Sequence, residues 1–222
     1  TADEDKIRFD IEGLEYFRME AGRIQVSNTG SSVSIGNNAG LDDDLTSNRN
    51  VAIGLNAGRL TSTGESNVAV GRDALRNNTT GSLNVALGNY ALRANTTANA
   101  NVALGHYSMY ANTTGQSNVA IGSAPLRYNK TGGWNYAIGN NALHRNVSGD
   151  NNVALGRSAG YNALGSGSVF LGNQAGSAET GSNRLYIDNS NTTNPLIYGE
   201  FDNNVIGING NLGVGTQSPQ DE

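Results

Sequence analysis

"LNVALGNYALRANTT", Leu83 to Thr97, repeats with small changes what stands just before it, "SNVAVGRDALRNNTTG" from Ser66 to Gly81. The phrase returns in "NVALGHYSMYANTTG", "NVAIGSAPLRYNKTG", "NYAIGNNALHRNVSG" and "NVALGRSAGYNALG". Aligned on the glycine that closes the N-V-A-I-G segment, the copies fall at Gly36, Gly54, Gly71, Gly88, Gly105, Gly122, Gly139, Gly156 and Gly172. The spacing is 18 once, then 17 six times, then 16. A period this short cannot hold a helix pair or a propeller blade, and it suits one coil of a stacked β-solenoid.

Within each copy apolar residues alternate with small or polar ones, the period of a strand. One side carries Val68 and Val70, Val85 and Leu87, Val102 and Leu104; the other carries Ala69, Ala86 and Ala103. After each glycine and two intervening residues comes a second apolar pair, such as Ala74–Leu75 or Ala91–Leu92, which reads as a second short strand. Asn-Thr-Thr-Gly then closes the coil as a turn, since Asn bonds its own backbone and Gly accepts positive φ. Stacked about 4.8 Å apart, nine coils make a rod of roughly 40 Å. The fold expected is all-β: a parallel β-roll or β-solenoid of about nine 17-residue coils over residues 31–176, with β-meander caps at residues 1–30 and 177–222. The caps rest on "KIRFDIEGLEYFRMEAGRIQVSNTG" and "NRLYIDNSNTTNPLIYGEFDNNVIGINGNLGVGT", which alternate but do not repeat; caps protect the open ends of a solenoid.

The composition narrows the function. Of 222 residues 30 are Gly, only 36% are hydrophobic and 6% aromatic. That is thin for the core of a free-standing monomer, so the Ala row (Ala52, Ala69, Ala86, Ala103, Ala120, Ala137 and Ala154) is expected to press against its equivalents in two other chains, giving a homotrimer. There is no Cys, which excludes disulfides and thiolate chemistry. No apolar run reaches membrane-spanning length, "TADEDKIRF" does not read as a signal peptide, and "SPQDE" reads as the start of a further segment. From Asn50 to Gly176 there are eight basic and three acidic residues, a net of +5; the flanks hold six and sixteen, a net of −10.

These residues resemble two related groups. The N-V-A-I-G coils are similar to the head of trimeric autotransporter adhesins, the YadA-like β-roll. "NTTG" corners leading into "SNRLYIDNS", "PLIYGEFDNN" and "INGNLGVGT" look like bacterial and phage tail-fibre-domain proteins, over nearly the whole chain. The resemblance implies a homotrimeric fibre at a cell surface, outside the cell or on a virion. Members often continue into a C-terminal chaperone that assists trimer assembly.

No catalytic constellation emerges. His106 and His144 stand one and five residues after their glycines and do not stack, so no metal or other cofactor site is expected, and neither enzymatic activity nor nucleic-acid binding nor membrane insertion. With only three acids in the repeats, a polysaccharide-cleaving tailspike is disfavoured. Two rows bear weighing as contacts for a cell-surface glycan or lipopolysaccharide. The fifth position after the glycine reads Arg59, Arg76, Arg93, Tyr110, Arg127, His144, Tyr161, either a stripe for anionic polymers or a solvated edge. Tyr90 and Tyr107 share the second position and are expected to lie side by side for sugar stacking. The Thr79–Thr80, Thr96–Thr97 and Thr113–Thr114 row reads as a polar corner rather than an ice-binding face. The expected function is a non-enzymatic attachment fibre; the alternative is a structural spacer or a filament subunit that self-assembles end to end.

Overall fold

The computed structural model describes residues 7–11, 14–20, 23–26, 31–44 and 48–212, with side chains described from residue 31 onward. The "TADEDK" opening and the "SPQDE" ending lie outside the described residues.

Among the described residues there are two sheets. The first is the expected N-terminal meander: β1 (Ile7–Ile11), β2 (Leu14–Glu20) and β3 (Arg23–Val26), paired antiparallel in that order, with an irregularity between Phe9 and Asp10. The second has twelve strands. Nine are single three-residue rungs: β4 (Val33–Ile35), β5 (Val51–Ile53), β6 (Val68–Val70), β7 (Val85–Leu87), β8 (Val102–Leu104), β9 (Val119–Ile121), β10 (Tyr136–Ile138), β11 (Val153–Leu155) and β12 (Val169–Leu171). Each pairs parallel with the next in the same register, for example Val85 on Val102 and Ala86 on Ala103, with Ser34, Tyr136 and Phe170 as the exceptions to Ala on Ala and Val on Val. The chain is a parallel β-solenoid of about nine coils.

Two features lock the register. First, the repeat glycines stack on one another. Gly88 holds φ +134 and Gly105 φ +126, and a Cβ on Gly88 would lie 2.6 Å from the Gly105 carbonyl oxygen. No side chain fits either the dihedral or the space. Second, two buried asparagine ladders run through the coils. Asn50, Asn67, Asn84, Asn101, Asn118, Asn135 and Asn152 precede the strands. The Oδ1 of each accepts from the backbone N–H of its successor, as Asn118 N–H donates to Asn101 at 3.0 Å, while each Nδ2 donates to a corner carbonyl, as Asn101 does to Gly115 at 2.9 Å. Asn78, Asn95, Asn112, Asn129 and Asn146 form the other; Asn95 Nδ2 donates to Asn78 at 2.8 Å and also to its own corner at Ala98 O. The Asn of Asn-Thr-Thr-Gly is therefore an interior residue, fully buried, rather than only a turn former. Satisfied polar groups inside a narrow coil fix spacing, because any slip strands them.

The segment after the glycine is not the second strand expected. It is a run of turns with residues in the left-handed region: Leu75, Leu92, Met109, Leu126 and Leu143 hold φ of +51, +48, +50, +47 and +48. That conformation costs a residue with a Cβ on the order of 1–2 kcal/mol. Two gains offset it. The side chain is entirely buried, and its N–H donates to the next coil, as Leu92 N–H does to Ser108 O at 3.0 Å.

The core lies inside the coils. Ala69, Ala86, Ala103, Ala120, Ala137 and Ala154 face Leu75, Leu92, Met109, Leu126 and Leu143 across the lumen, with Ala74, Ala91 and Ala142 beside them. Near the C-terminal end the sizes exchange: Phe170 takes the strand position of Ala, and Gly160 and Gly176 take the positions of Leu. A Cβ on Gly160 would lie 2.6 Å from the Phe170 ring. One large ring fills the space that one alanine and two leucines fill in the central coils.

The sheet then changes direction. β13 (Arg184–Ile187) is parallel to β12, while β14 (Ile197–Glu200) and β15 (Val205–Ile208) fold back antiparallel. This is the expected C-terminal meander, with its first strand serving as a further parallel rung.

Candidate interaction surfaces

Each rung turns its middle residue inward and its two flanking residues outward. In β5, β6, β8 and β9 the Ala is buried and both neighbours are half-exposed. The row expected to join three chains is thus enclosed within its own chain: Ala52 is 3% exposed, Ala69 and Ala154 1%, and Ala86, Ala103, Ala120 and Ala137 0%. None can touch another molecule. The reason is volume. A 17-residue coil encloses so little space that one Leu and two or three Ala fill it, which forces the branched side chains out. Leu75 and its equivalents carried this signal, since a Leu across the lumen leaves room only for Ala.

The face left to solvent is the row of branched residues. Ile35, Leu87, Tyr136, Ile138, Val153 and Leu155 are exposed, and Val51, Ile53, Val68, Val70, Val102, Leu104, Val119 and Ile121 are half-exposed. With rungs about 4.8 Å apart, this apolar double row runs for nearly 40 Å. A contiguous apolar strip of that length is a candidate interaction surface.

A second surface lies along the edge that follows the glycines. Arg59, Arg76, Arg93, Tyr110, Arg127, His144 and Tyr161 do fall on one line. Arg93 donates to the Tyr110 hydroxyl at 3.2 Å, and His144 stacks on Tyr161 with centroids 4.9 Å apart and planes 9° apart. Arg76 sits 3.5 Å from Asp73. Tyr90 and Tyr107 are stacked as expected, 4.9 Å apart at 7°. Their outer faces are already covered: Arg72 lies 5.3 Å over Tyr90, and Arg127 lies 4.6 Å over Tyr107. The four side chains form a closed column of guanidinium, ring, ring, guanidinium. Sugar stacking on either ring face would require an arginine to move; the hydroxyls and the His106 edge, 4.2 Å from Tyr107, remain outward. His144 is buried, and its Nδ1–H donates to Ala124 O at 2.9 Å. Burial chiefly, helped by the charges of Arg127 and Arg145, holds its pKa below the usual imidazole value.

At the C-terminal end, Tyr186 donates to Glu179 at 2.8 Å and Tyr198 to Glu200 at 2.6 Å, with Arg184 3.4 Å from Glu200. Burial and the Glu179 hydrogen bond push the Tyr186 phenol well up. Burial also pushes Glu179 up, but the N–H groups of Gly181 and Thr180, the Tyr186 hydroxyl and the Arg184 charge more than cancel it, so its carboxyl lies below the usual range. The cluster ties the last coil to the C-terminal strands.

A concavity that sequence reading did not find lies at another corner, lined by Tyr128, Lys130, Arg145, Val147 and Leu164. Compared with models of protein families, with curated proteins and with solved structures, the chain finds no match.

Proposed function

We propose that this chain is a non-enzymatic fibre module, in which three copies pack their outward Val/Ile/Leu rows around a common axis and so carry binding surfaces away from a cell or virion. One observation carries the reading. The lumen of the coil is already filled by Ala and Leu, yet an apolar double row nine rungs long is left outside it. Its occupant is argued to be a second and third copy, because the row is identical in pitch on every copy and a cyclic assembly buries all of it. The resemblance to tail-fibre and autotransporter heads supports three as the number. Three copies of each weak surface then act together through avidity. The reading extends to a location at the cell surface, outside the cell or on a virion.

Light scattering after size exclusion tests it. The expected mass is three times the 23.1 kDa of the chain; a monomer at micromolar concentration overturns the assembly.

A second reading, a filament subunit joined end to end, draws on the edge strand β15. Val205 is 49%, Ile206 67% and Ile208 40% exposed, and an edge strand with unpaired backbone groups and apolar side chains invites pairing. Mass that grows with concentration, and that Ile206→Lys abolishes, favours this reading over a discrete trimer.

A further inference from the structure

The repeats differ most where the fold demands least. At the sixth position after the glycine stand Ala94 and Ala111, then Tyr128 and Arg145; at the eighth stand Thr79, Thr96 and Thr113, then Lys130, Val147 and Leu164. The threonines each bond the next coil: Thr79 Oγ1 donates to Thr96 O at 3.0 Å, Thr96 to Thr113 O at 3.2 Å and Thr113 to Lys130 O at 3.0 Å. That chain of bonds ends at Lys130. The backbone bond at this position persists to Lys130, whose N–H donates to Val147 O at 2.8 Å. These coils therefore relinquish stabilising bonds and expose large apolar side chains instead: Tyr128 is 44%, Val147 40% and Leu164 51% exposed. Local departures from an otherwise consistent pattern are where function is to be sought.

What they create is a concavity of about 390 Å³, within the size range of small-ligand sites. Its floor is apolar and its rim cationic. Among the described residues neither Lys130 nor Arg145 has a carboxylate within ion-pair distance. Arg127 adds a third cation, 5.5 Å from the Tyr128 ring.

We propose that this concavity binds an acidic sugar, with its carboxylate held by Lys130 and Arg145 and the C–H face of its ring on Val147, Leu164 and Tyr128. A simple anion would leave the apolar floor unused, and an apolar ligand would leave two unpaired cations against it. A pyranose carrying a carboxylate uses both. The inference rests on the surface-fibre reading for its biological setting and gives that reading a ligand class.

Calorimetric titration of the full chain with tetragalacturonate tests it, with maltotetraose as the neutral counterpart and inorganic phosphate as the point anion. Binding is expected for tetragalacturonate alone, weakened at least tenfold by Lys130→Thr with Arg145→Ala and about threefold by Tyr128→Ala. All three install residues found at the same positions in other coils; Arg145→Gln, a milder change, is expected to weaken binding several-fold without relying on those replacements. Absence of tetragalacturonate binding, equal affinity in the variants, equal binding of maltotetraose, or displacement by equimolar phosphate would each overturn the site. A chain that proves monomeric yet binds tetragalacturonate keeps the site and loses the trimer; a trimer that ignores tetragalacturonate does the reverse.

Discussion

The two sides of the solenoid wall obey different rules. On the inner side of the central coils nearly the same residues recur at the same positions: Gly on Gly, Asn on Asn, Ala on Ala, Leu on Leu or Met. On the outer side the strand flanks exchange Val, Ile, Leu and Tyr, and the corners exchange Thr, Lys, Val and Leu. The inner side is set by contact with the next coil at a fixed spacing, where even one methyl group is felt. The outer side meets only solvent or another molecule. The lesson is that in a coil this narrow, stability and interaction are assigned to opposite faces of one three-residue strand, so substitutions on the two faces should separate cleanly.

The largest effect is expected from Gly105→Ala. The new Cβ would collide with the Gly122 carbonyl while holding a dihedral disfavoured for Ala; a loss of more than about 4 kcal/mol, or failure to fold, is expected by urea denaturation. Near-native stability would show that the glycine ladder does not set the register.

Asn101→Ala comes next. It removes the acceptor of Asn118 N–H and Nδ2 and the donor to Asn84 Oδ1 and Gly115 O; Gly115 O keeps Asn112 and Asn118 Nδ2 keeps Gly132 O, so the Asn118 N–H is the group left buried without a partner, at about 1–3 kcal/mol. A total loss of roughly 3 kcal/mol is expected from the same measurement, and a loss below about 1 kcal/mol would place the ladder's role in doubt.

On the outer side, Val102→Thr with Leu104→Thr leaves Ala103 and the lumen untouched. On the proposed three-chain assembly, the far-UV circular dichroism is expected to stay as in the parent while the mass by light scattering falls toward that of one chain. Loss of the spectrum instead of the assembly would erase the distinction between the faces.

The smallest effect concerns pH. The folded-state pKa of His144 is depressed, so the unfolded chain takes up a proton first as pH falls. Its contribution to stability is complete above the unfolded value near 6.5 and is lost as pH falls below it. A Tm that declines modestly from pH 7.5 to 5, with His144→Tyr flattening the decline, is expected; Tyr161 occupies the same position in the next coil and shows that the ring is accommodated.

The period, the strand positions and both meanders were legible because they depend on spacing and alternation, which a sequence displays directly. The direction of each face was not. Alternation separates Ala from Val but does not say which is inside, and the thin apolar supply pointed the Ala row at neighbouring chains; only the enclosed volume, signalled in the central coils by Leu75, Leu92, Met109, Leu126 and Leu143, decides it. The second strand failed for a related reason: Ala91–Leu92 has an apolar pattern, but Leu92 reaches the lumen by adopting positive φ, which propensity argues against and which inter-coil hydrogen bonds and burial overrule. The asparagine ladders lay in plain view, since Asn67 and Ala69 share one parity, yet a polar residue beside a turn reads as surface until the coil is closed around it. The stacked Tyr90 and Tyr107 were expected from position alone, whereas their covering by Arg72 and Arg127 depends on side-chain reach across rungs, which spacing does not encode.

Because every rung meets its neighbours through the same set of contacts, the molecule can be treated as a yardstick with whole-number graduations. Recombination between near-identical gene segments would add or delete one complete graduation, changing reach by about 4.8 Å while leaving every interior partner in place. Organisms could thus adjust how far such a rod extends by copy number alone, with no need to redesign a single joint.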